Sequence, residues 1–575
     1  MQLQQIGEGS GRHRRRVSSW SIAVGLLAVL LSLPVLAVVV GVFSDAKPIW
    51  AHLQTTVLGT YVSNSLGLML GVGLLTIVIG TGTAWLVTLC EFPGRWALEW
   101  LLLLPLAAPA YILAYVYTDL LDYYGPVQTT LRQWFQWESA RDYWFPAVRS
   151  LPGAIAMLAL VLYPYVYLLA RSAFLSQSVS TLEASRSLGY GPWQSFWRVA
   201  LPMARPAIAA GVSLALMETL NDFGTVEYFS VPTFTTGIYR TWFAMGERGA
   251  AMQMSALLLL FVVSLVVLER WARRQQRYYQ SSNRYRPLPK YALRGVRGLL
   301  ALLACTVPVC GGFLIPAGTL LQLMLAGGSS AADADADFPT AAAAGEDRFW
   351  SFASNSLLLA GLTALLAVAI AVILAYGQRL DPSKPNRIAT QAAVLGYAIP
   401  GSVIAVGVMA PLGYFDNAVD AWMRSQFGIS TGLLLSGTIT ALVFAYLVRF
   451  LAVSFGPVET SLGNISPNLD DASRSLGYRA APTLRRIHLP LLRSGLFSAA
   501  ILVFVDVMKE LPATLIVRPF NFDTLAIRVY NLASDERLAE AAQPALAIVL
   551  VGLLPVLLLS WQMTRGRQST VHPEL

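Results

Sequence analysis

Stretches of about twenty apolar residues recur along almost the whole chain, and this limits the fold more than any other feature. The hydrocarbon core of a bilayer takes about 20 such residues per helical crossing, at a rise of about 1.5 Å each. The runs predict membrane helices near residues 20–43, 60–89, 97–120, 151–175, 203–229, 251–269, 295–324, 355–377, 388–412, 431–453, 491–516 and 541–563. An all-α polytopic membrane protein of about 12 transmembrane helices follows, with little chain left for a separate globular domain. Composition agrees: 55% of the 575 residues are hydrophobic and 13% charged, and the mean hydropathy is +0.56, so lipid and not water is the expected solvent.

The formal net charge of +9 does not point to nucleic acid, because the basic residues sit beside apolar spans and form no single basic surface. Arg12, Arg14, Arg15 and Arg16, then Arg95, the segment from Arg270 to Arg297, the stretch Arg379 to Arg387, and Arg565 with Arg567 alternate with arginine-poor loops. The positive-inside rule then puts both termini in the cytoplasm. The opposite loops, Asp119 to Trp144 and the low-complexity stretch from Asp333 to Gly345, are expected to face the periplasm, the latter as a flexible solvated loop. The first apolar run, Trp20 to Phe43, is too long for a signal peptide core and reads as a retained helix. Cys90, Cys305 and Cys310 lack metal-type pairing and read as small buried hydrophobes. Trp134, Trp137, Trp144 and Trp242, near span ends, read as interfacial anchors.

The chain also repeats itself. Glu183 to Tyr190, EASRSLGY, recurs as DASRSLGY from Asp471 to Tyr478. In the same register Arg198 matches Arg486, Leu201-Pro202 matches Leu489-Pro490, Glu218 matches Asp506 and Asp222 matches Glu510; upstream, Asn64-Ser65-Leu66 matches Asn355-Ser356-Leu357 and Pro109 matches Pro400. Two tandem six-helix halves of the same orientation are implied. The expected division is 1–58 for a tail and first helix, 59–270 for the first half, 271–350 for a basic linker, seventh helix and acidic loop, 351–563 for the second half, and 564–575 for a cytoplasmic tail.

Both repeated segments fall on the arginine-rich side, between the fourth and fifth spans of their halves. Ser180 with Glu183, and Asn468 with Asp471, have the spacing of a helix N-terminal capping box. Arg186 and Arg474 stand three residues past the acid, within ion-pair reach. Gly189 and Gly477 can take the left-handed conformation that ends a helix, and Pro192 can open the next. That next helix is expected to end at Leu201-Pro202 and Leu489-Pro490. His488 reads as an interfacial residue. A compact, rigid projection at matched places in both halves suits a paired mechanical function better than an incidental interfacial helix.

The pattern Glu-Ala-Ser, Gly six residues after the Glu, then Val-Ala-Leu-Pro or Ile-His-Leu-Pro, resembles the EAA loop of permeases of binding-protein-dependent type I ABC importers, a MetI-like fold. The loops would be 183–202 and 471–490. The resemblance covers about residues 60–270 and 350–563, and it implies that Glu183, Ala184, Ser185 and Gly189, with Asp471, Ala472, Ser473 and Gly477, dock into an ATPase subunit. Ser replaces the usual third-position Ala in both loops and Asp471 replaces the second Glu. The segments Ala215 to Phe243 and Asp506 to Ala542 are most similar to fused permeases of ferric-iron importers; fused permeases for thiamine or phosphonates are the alternative. The resemblance implies two ATPase copies, a periplasmic solute-binding protein and an inner-membrane location.

The sequence has no Gly-Lys dipeptide and hence no phosphate loop of the Gly-x-x-x-x-Gly-Lys-Ser/Thr type, so ATP hydrolysis is expected in a separate subunit. No nucleophile with a nearby base stands out, and no cofactor, metal site or catalytic residue is expected. Charged residues within the spans are costly toward lipid, so Glu218, Asp222, Asp506, Lys509 and Glu510 should face the interior, with Lys509 paired to Asp506. They either line the pathway or its gate, or form a structural ion-pair network. A secondary transporter would explain the repeat but not the paired loops, and a membrane enzyme would need a constellation the chain lacks.

Overall fold

The computed structural model describes residues 19–44, 46–177, 183, 185, 187–273, 290–332 and 341–568. The chain is all-α apart from one parallel pairing of Cys90–Glu91 with Tyr291–Ala292. Among the described residues ten helices are long and apolar enough to span a membrane, and two bent pairs raise the number to as many as twelve.

In the first half the long helices are α1 (Ser19–Gly41), α2 (Leu58–Leu89), α3 (Ala110–Leu121), α4 (Leu151–Leu175), α5 (Leu201–Asn221) and α6 (Arg248–Arg273). In the second they are α7 (Val296–Val309) with α8 (Ile315–Ala332), joined by a π-turn at Cys310–Leu314, then α9 (Ala341–Leu380), α10 (Gly401–Phe427), α11 (Ile439–Gly463), α12 (Arg493–Met508) and α13 (Leu538–Gln568).

The repeat in sequence is a repeat in local chemistry. Ser150 and Thr438 cap α4 and α11, each accepting a hydrogen bond from the amide three residues on, which satisfies a donor the helix cannot. Pro109 and Pro400, both extended, open α3 and α10. Asn64 donates to the Pro232 carbonyl at 2.9 Å and Asn355 to that of Asp523 at 3.1 Å. Ser65 and Ser356 accept from the Phe234 and Leu525 amides. The paired Asn-Ser motif thus fixes α2 and α9 against a short helix entry in each half.

The tight core of each half is α2, α4 and α5, or α9, α11 and α12. The leading helix of each half reaches across to the other. Helix α1 lies against α9, α10 and the Lys384–Ala393 helix as well as α6 of its own half, while α7 and α8 lie against α2 and α3 as well as α13 of their own half. Trp20 meets Tyr376 edge-on at 5.1 Å and Ser21 donates to Asp381; on the other side Tyr117 donates to the Gly311 carbonyl at 2.6 Å. A Cβ on Gly407 would stand 2.9 Å from the carbonyl carbon of Pro34, so α1 crosses α10 at a distance only glycine permits.

Several expected spans are cut differently. The stretch near 97–120 is a pair bent by 93°, Arg95–Ala107 and Ala110–Phe135. That near 388–412 starts as a long helix only at Gly401, because Pro400 cannot donate the amide a continuous helix needs. The runs near 203–229 and 491–516 stop at Asn221 and Met508 and resume as short helices, Gly224–Tyr228 and Pro512–Val517.

Candidate functional site

The two repeated segments take the same form. After the first, Gly189 has φ +83° and Gly477 has φ +82°, the left-handed region glycine enters without Cβ strain. Tyr190 and Tyr478 donate their amides to the Ser185 and Ser473 carbonyls, both at 3.1 Å. The Ser185 hydroxyl meets that of Ser195 at 3.0 Å, and Ser473 meets Thr483 at 2.6 Å, both pairs buried. Arg198 lies over the Tyr190 ring at 5.3 Å and Arg486 over Tyr478 at 5.4 Å. Each π-turn, Phe196–Ala200 and Leu484–His488, falls at the matching place. In the second segment a short helix, Asn468–Ser475, a glycine turn and a second helix are therefore clamped through one buried hydroxyl pair and one cation–π stack, and the described residues of the first segment carry the same pair and the same stack.

Outward from the clamp stand Glu183 and Gly189 in the first segment, with Asp471, Arg474 and Gly477 in the second, all exposed. Asp471 and Arg474 form the expected ion pair. Ser180, Ala184 and Arg186 lie outside the described residues. Asn468 is the first helical residue and not the cap: the helix Asn468–Ser475 follows Pro467, with no side-chain cap, since the fixed φ of proline already suits a helix start. The second helix does not stop at Leu201-Pro202, because the π-turn absorbs the missing proline amide and the helix runs on to Asn221. In the other half the chain does bend, by 78° after Leu491.

His488 is not interfacial. It is fully buried, edge-on to Tyr376 at 5.3 Å and with Nε2 3.0 Å from Asp470, because the segment folds back onto α9. Arg379 of α9 completes this anchor by donating to Asp470 and to the Leu462 and Ile465 carbonyls at the end of α11.

The five charged residues expected inside spans, Glu218, Asp222, Asp506, Lys509 and Glu510, all line one cavity of about 130 Å³ between the halves, room for about four waters. They divide into two kinds. Asp222 accepts from the Val226 amide and the Thr225 hydroxyl. Glu510 accepts from the Ala513 and Thr514 amides and the Thr514 hydroxyl. These two carboxylates sit at the positive ends of the short helices Gly224–Tyr228 and Pro512–Val517, which is why the long helices break where they do. Asp506 pairs with Lys509 at 3.0 Å, as the spacing predicts. Glu218 has no hydrogen bond or ion pair among the described residues.

Across the halves Asn221 accepts from the Gly401 amide at 2.8 Å and from Arg449 at 2.6 Å, and Arg449 lies 3.8 Å from Glu510. Tyr165 and Tyr397 line the same cavity. Sequence reading missed Arg449, although the rule that selected the acids applies equally to an arginine within the span near 431–453. Asn221 and the tyrosines carry no charge to mark them.

Residues 76–278 match the family described as binding-protein-dependent transport system inner membrane component. Over 560 residues the chain is 27% identical to the Fe(3+)-transport system permease protein FbpB 2 of Haemophilus influenzae, covering 95% of this chain and 98% of that one. It is 23% identical over 556 residues to the ferric transport system permease protein FbpB of Actinobacillus pleuropneumoniae, covering 93% and 76%. The molybdenum transport system permease protein ModB of Escherichia coli K12 is 30% identical over 207 residues, 35% of this chain and 87% of that one. With two matching halves in one polypeptide, this chain is a fused permease belonging to the binding-protein-dependent transport system inner membrane component family.

Proposed function

We propose that the chain is the translocation subunit of an ATP-driven importer of ferric iron, receiving the metal from a periplasmic binding protein. The carrying observation is that similarity to ferric permeases runs through both halves, over 95% of this chain, whereas the molybdenum permease matches 35% of it. Both termini lie in the cytoplasm, as the arginine distribution requires, and the repeated segments then face the cytoplasm too. Glu183, Ala184, Ser185 and Gly189 dock into one ATPase copy, and Asp471, Ala472, Ser473 and Gly477 into a second. The transport units are 59–270 and 351–563.

The mechanism rests on stiffness. Because each docking helix is clamped to the helix that follows it, a displacement at the docking surface is carried into α5 or α12. Those two helices end at the cavity. ATP-driven closure of the ATPase pair favours one arrangement of the halves, and hydrolysis the other. Glu218, Asp506 and Lys509 line the pathway, while Asp222 and Glu510 hold the helix breaks that wall it. Proteoliposomes containing the chain, its ATPase and its binding protein should accumulate radiolabelled ferric iron only with ATP. Uptake of thiamine or a phosphonate with none of iron would sink the cargo assignment; iron accumulation with no ATPase present would sink the mechanism.

A further inference from the structure

We propose that a basic groove where the chain passes from the first half to the second holds the headgroup of an anionic phospholipid of the inner leaflet, with an acyl chain laid along α7. The proposal rests on the permease reading for the cytoplasmic position of this face, and it adds a ligand at a place that shares no residue with the cavity. The groove, of about 760 Å³, lies between the short helix Arg95–Leu101, which follows α2, and the segment that leads into α7. The pairing of Cys90–Glu91 with Tyr291–Ala292, continued by the Leu293 amide donating to the Glu91 carbonyl at 2.9 Å, brings these two pieces together. It brings like charges together as well. Arg95 from one piece and Arg294 from the other line the same groove. The acid that lines it, Glu91, is already paired with Lys290 at 3.4 Å. Arg294, and Arg297 one turn further on, are both exposed. The surrounding sequence deepens the imbalance, with nine basic residues and no acid from Arg270 to Arg297.

Like charges fixed by backbone pairing repel, and an anion between them turns the repulsion into attraction. What adjoins the groove tells where that anion comes from. Leu299 belongs to its wall, and Leu299, Leu303 and Val307 follow one another at i, i+4 and i+8, exposed by 55%, 48% and 63%. They form an apolar stripe that leads from the groove along the outer face of α7. On a membrane span such a stripe meets lipid, so the groove lies at the depth of the headgroups. Trp96, on the opposite wall and 77% exposed, suits the same depth. A phosphate at the arginines with an acyl chain on the stripe satisfies both features, whereas free phosphate uses the charge alone. The anionic lipids of the cytoplasmic leaflet supply such a molecule.

The test uses the full chain in a mild detergent, incubated with an equimolar mixture of phosphatidylglycerol and phosphatidylcholine of the same acyl chains, then captured and analysed for retained phospholipid. Wild type should retain phosphatidylglycerol in preference to phosphatidylcholine, and excess inorganic phosphate should not displace it. The double variant Arg294→Gln, Arg297→Gln should lose that preference by at least about fivefold, and Leu303→Gln should weaken retention several-fold while the preference stays. Arg565→Gln, Arg567→Gln removes as many charges from the C-terminal tail and should retain phosphatidylglycerol as wild type does. Both groove arginines are exposed, so their variant should keep the wild-type thermal midpoint. The proposal is overturned by a wild type without preference, or by release on adding phosphate, which would mark a free-anion site. It is equally overturned by Leu303→Gln with unchanged retention, or by a groove variant that loses no more than the tail variant. ATP-dependent iron uptake in proteoliposomes reports on the permease reading separately: uptake without lipid retention sinks this proposal alone, and retention without uptake sinks that reading alone.

Discussion

At the scale of single residues, the informative contrast is between acids that hold structure and acids that face the cavity. Glu510 is 4% exposed and accepts from two amides and a hydroxyl beside Arg449. Glu510→Ala uncaps a helix and leaves an arginine without its carboxylate, at a cost of roughly 3 kcal/mol or more. Glu510→Gln keeps an acceptor for the amides and should lose less. Thermal unfolding of the two variants in detergent checks the order; equal losses would show that the cap is unimportant. Gly477 offers a purer case, because a Cβ there meets nothing within 4 Å. Gly477→Ala therefore carries only backbone strain, about 1–2 kcal/mol, and should reduce ATPase stimulation while the chain stays folded. The sequence singled out both residues, since a charge in an apolar run and a glycine after a helix are local signals. Asn221 gives no such signal, for its importance lies in what the other elements bring to it.

At the scale of elements, the clamp within each repeated segment supplies the stiffness that the proposed docking role requires. Ser473 and Thr483 are both buried and 2.6 Å apart, so removing the Thr483 hydroxyl strands that of Ser473, whereas Thr483 keeps its bond to the Arg479 carbonyl. Ser473→Ala and Thr483→Val should each destabilise by about 1 kcal/mol, and the double variant by clearly less than the sum. A double-mutant cycle on thermal stability reads this coupling, and strict additivity would mean that the pair does not clamp. That the two segments share their turn and clamp was legible because the motif occurs twice. Their boundaries were less so. The continuation of the first helix through Pro202 depends on a π-turn, which alters backbone pairing without altering hydropathy. The breaks after Asn221 and Met508 were likewise hidden, because an apolar run looks the same whether one helix or two fill it.

At the scale of the whole molecule, hydropathy and repetition disclosed twelve approximate spans and two halves, but not that the first helix of each half reaches across to the other. Nothing in α1 says which bundle it will join, since its faces are apolar all round and lipid offers no preference between them. What selects the partner is fit: Gly407 lets Pro34 approach, and Trp20 reaches Tyr376. One consequence is that the covalent linker is not what holds the halves together. Co-expressed fragments divided between Arg273 and Lys290 should therefore co-purify in detergent, with α1 of the first fragment gripping the second. Starting the first fragment at residue 44 removes that grip and should lower recovery several-fold, although α7 and α8 still reach across from the other side. Gly407→Val in the otherwise intact pair should act in the same direction more mildly, by the roughly 1–3 kcal/mol of an overpacked crossing. If the truncated fragment is recovered as well as the complete one, α1 does not fasten the assembly, and cohesion must come from the remaining contacts between the halves, those of α7 and α8 and of Asn221 among them.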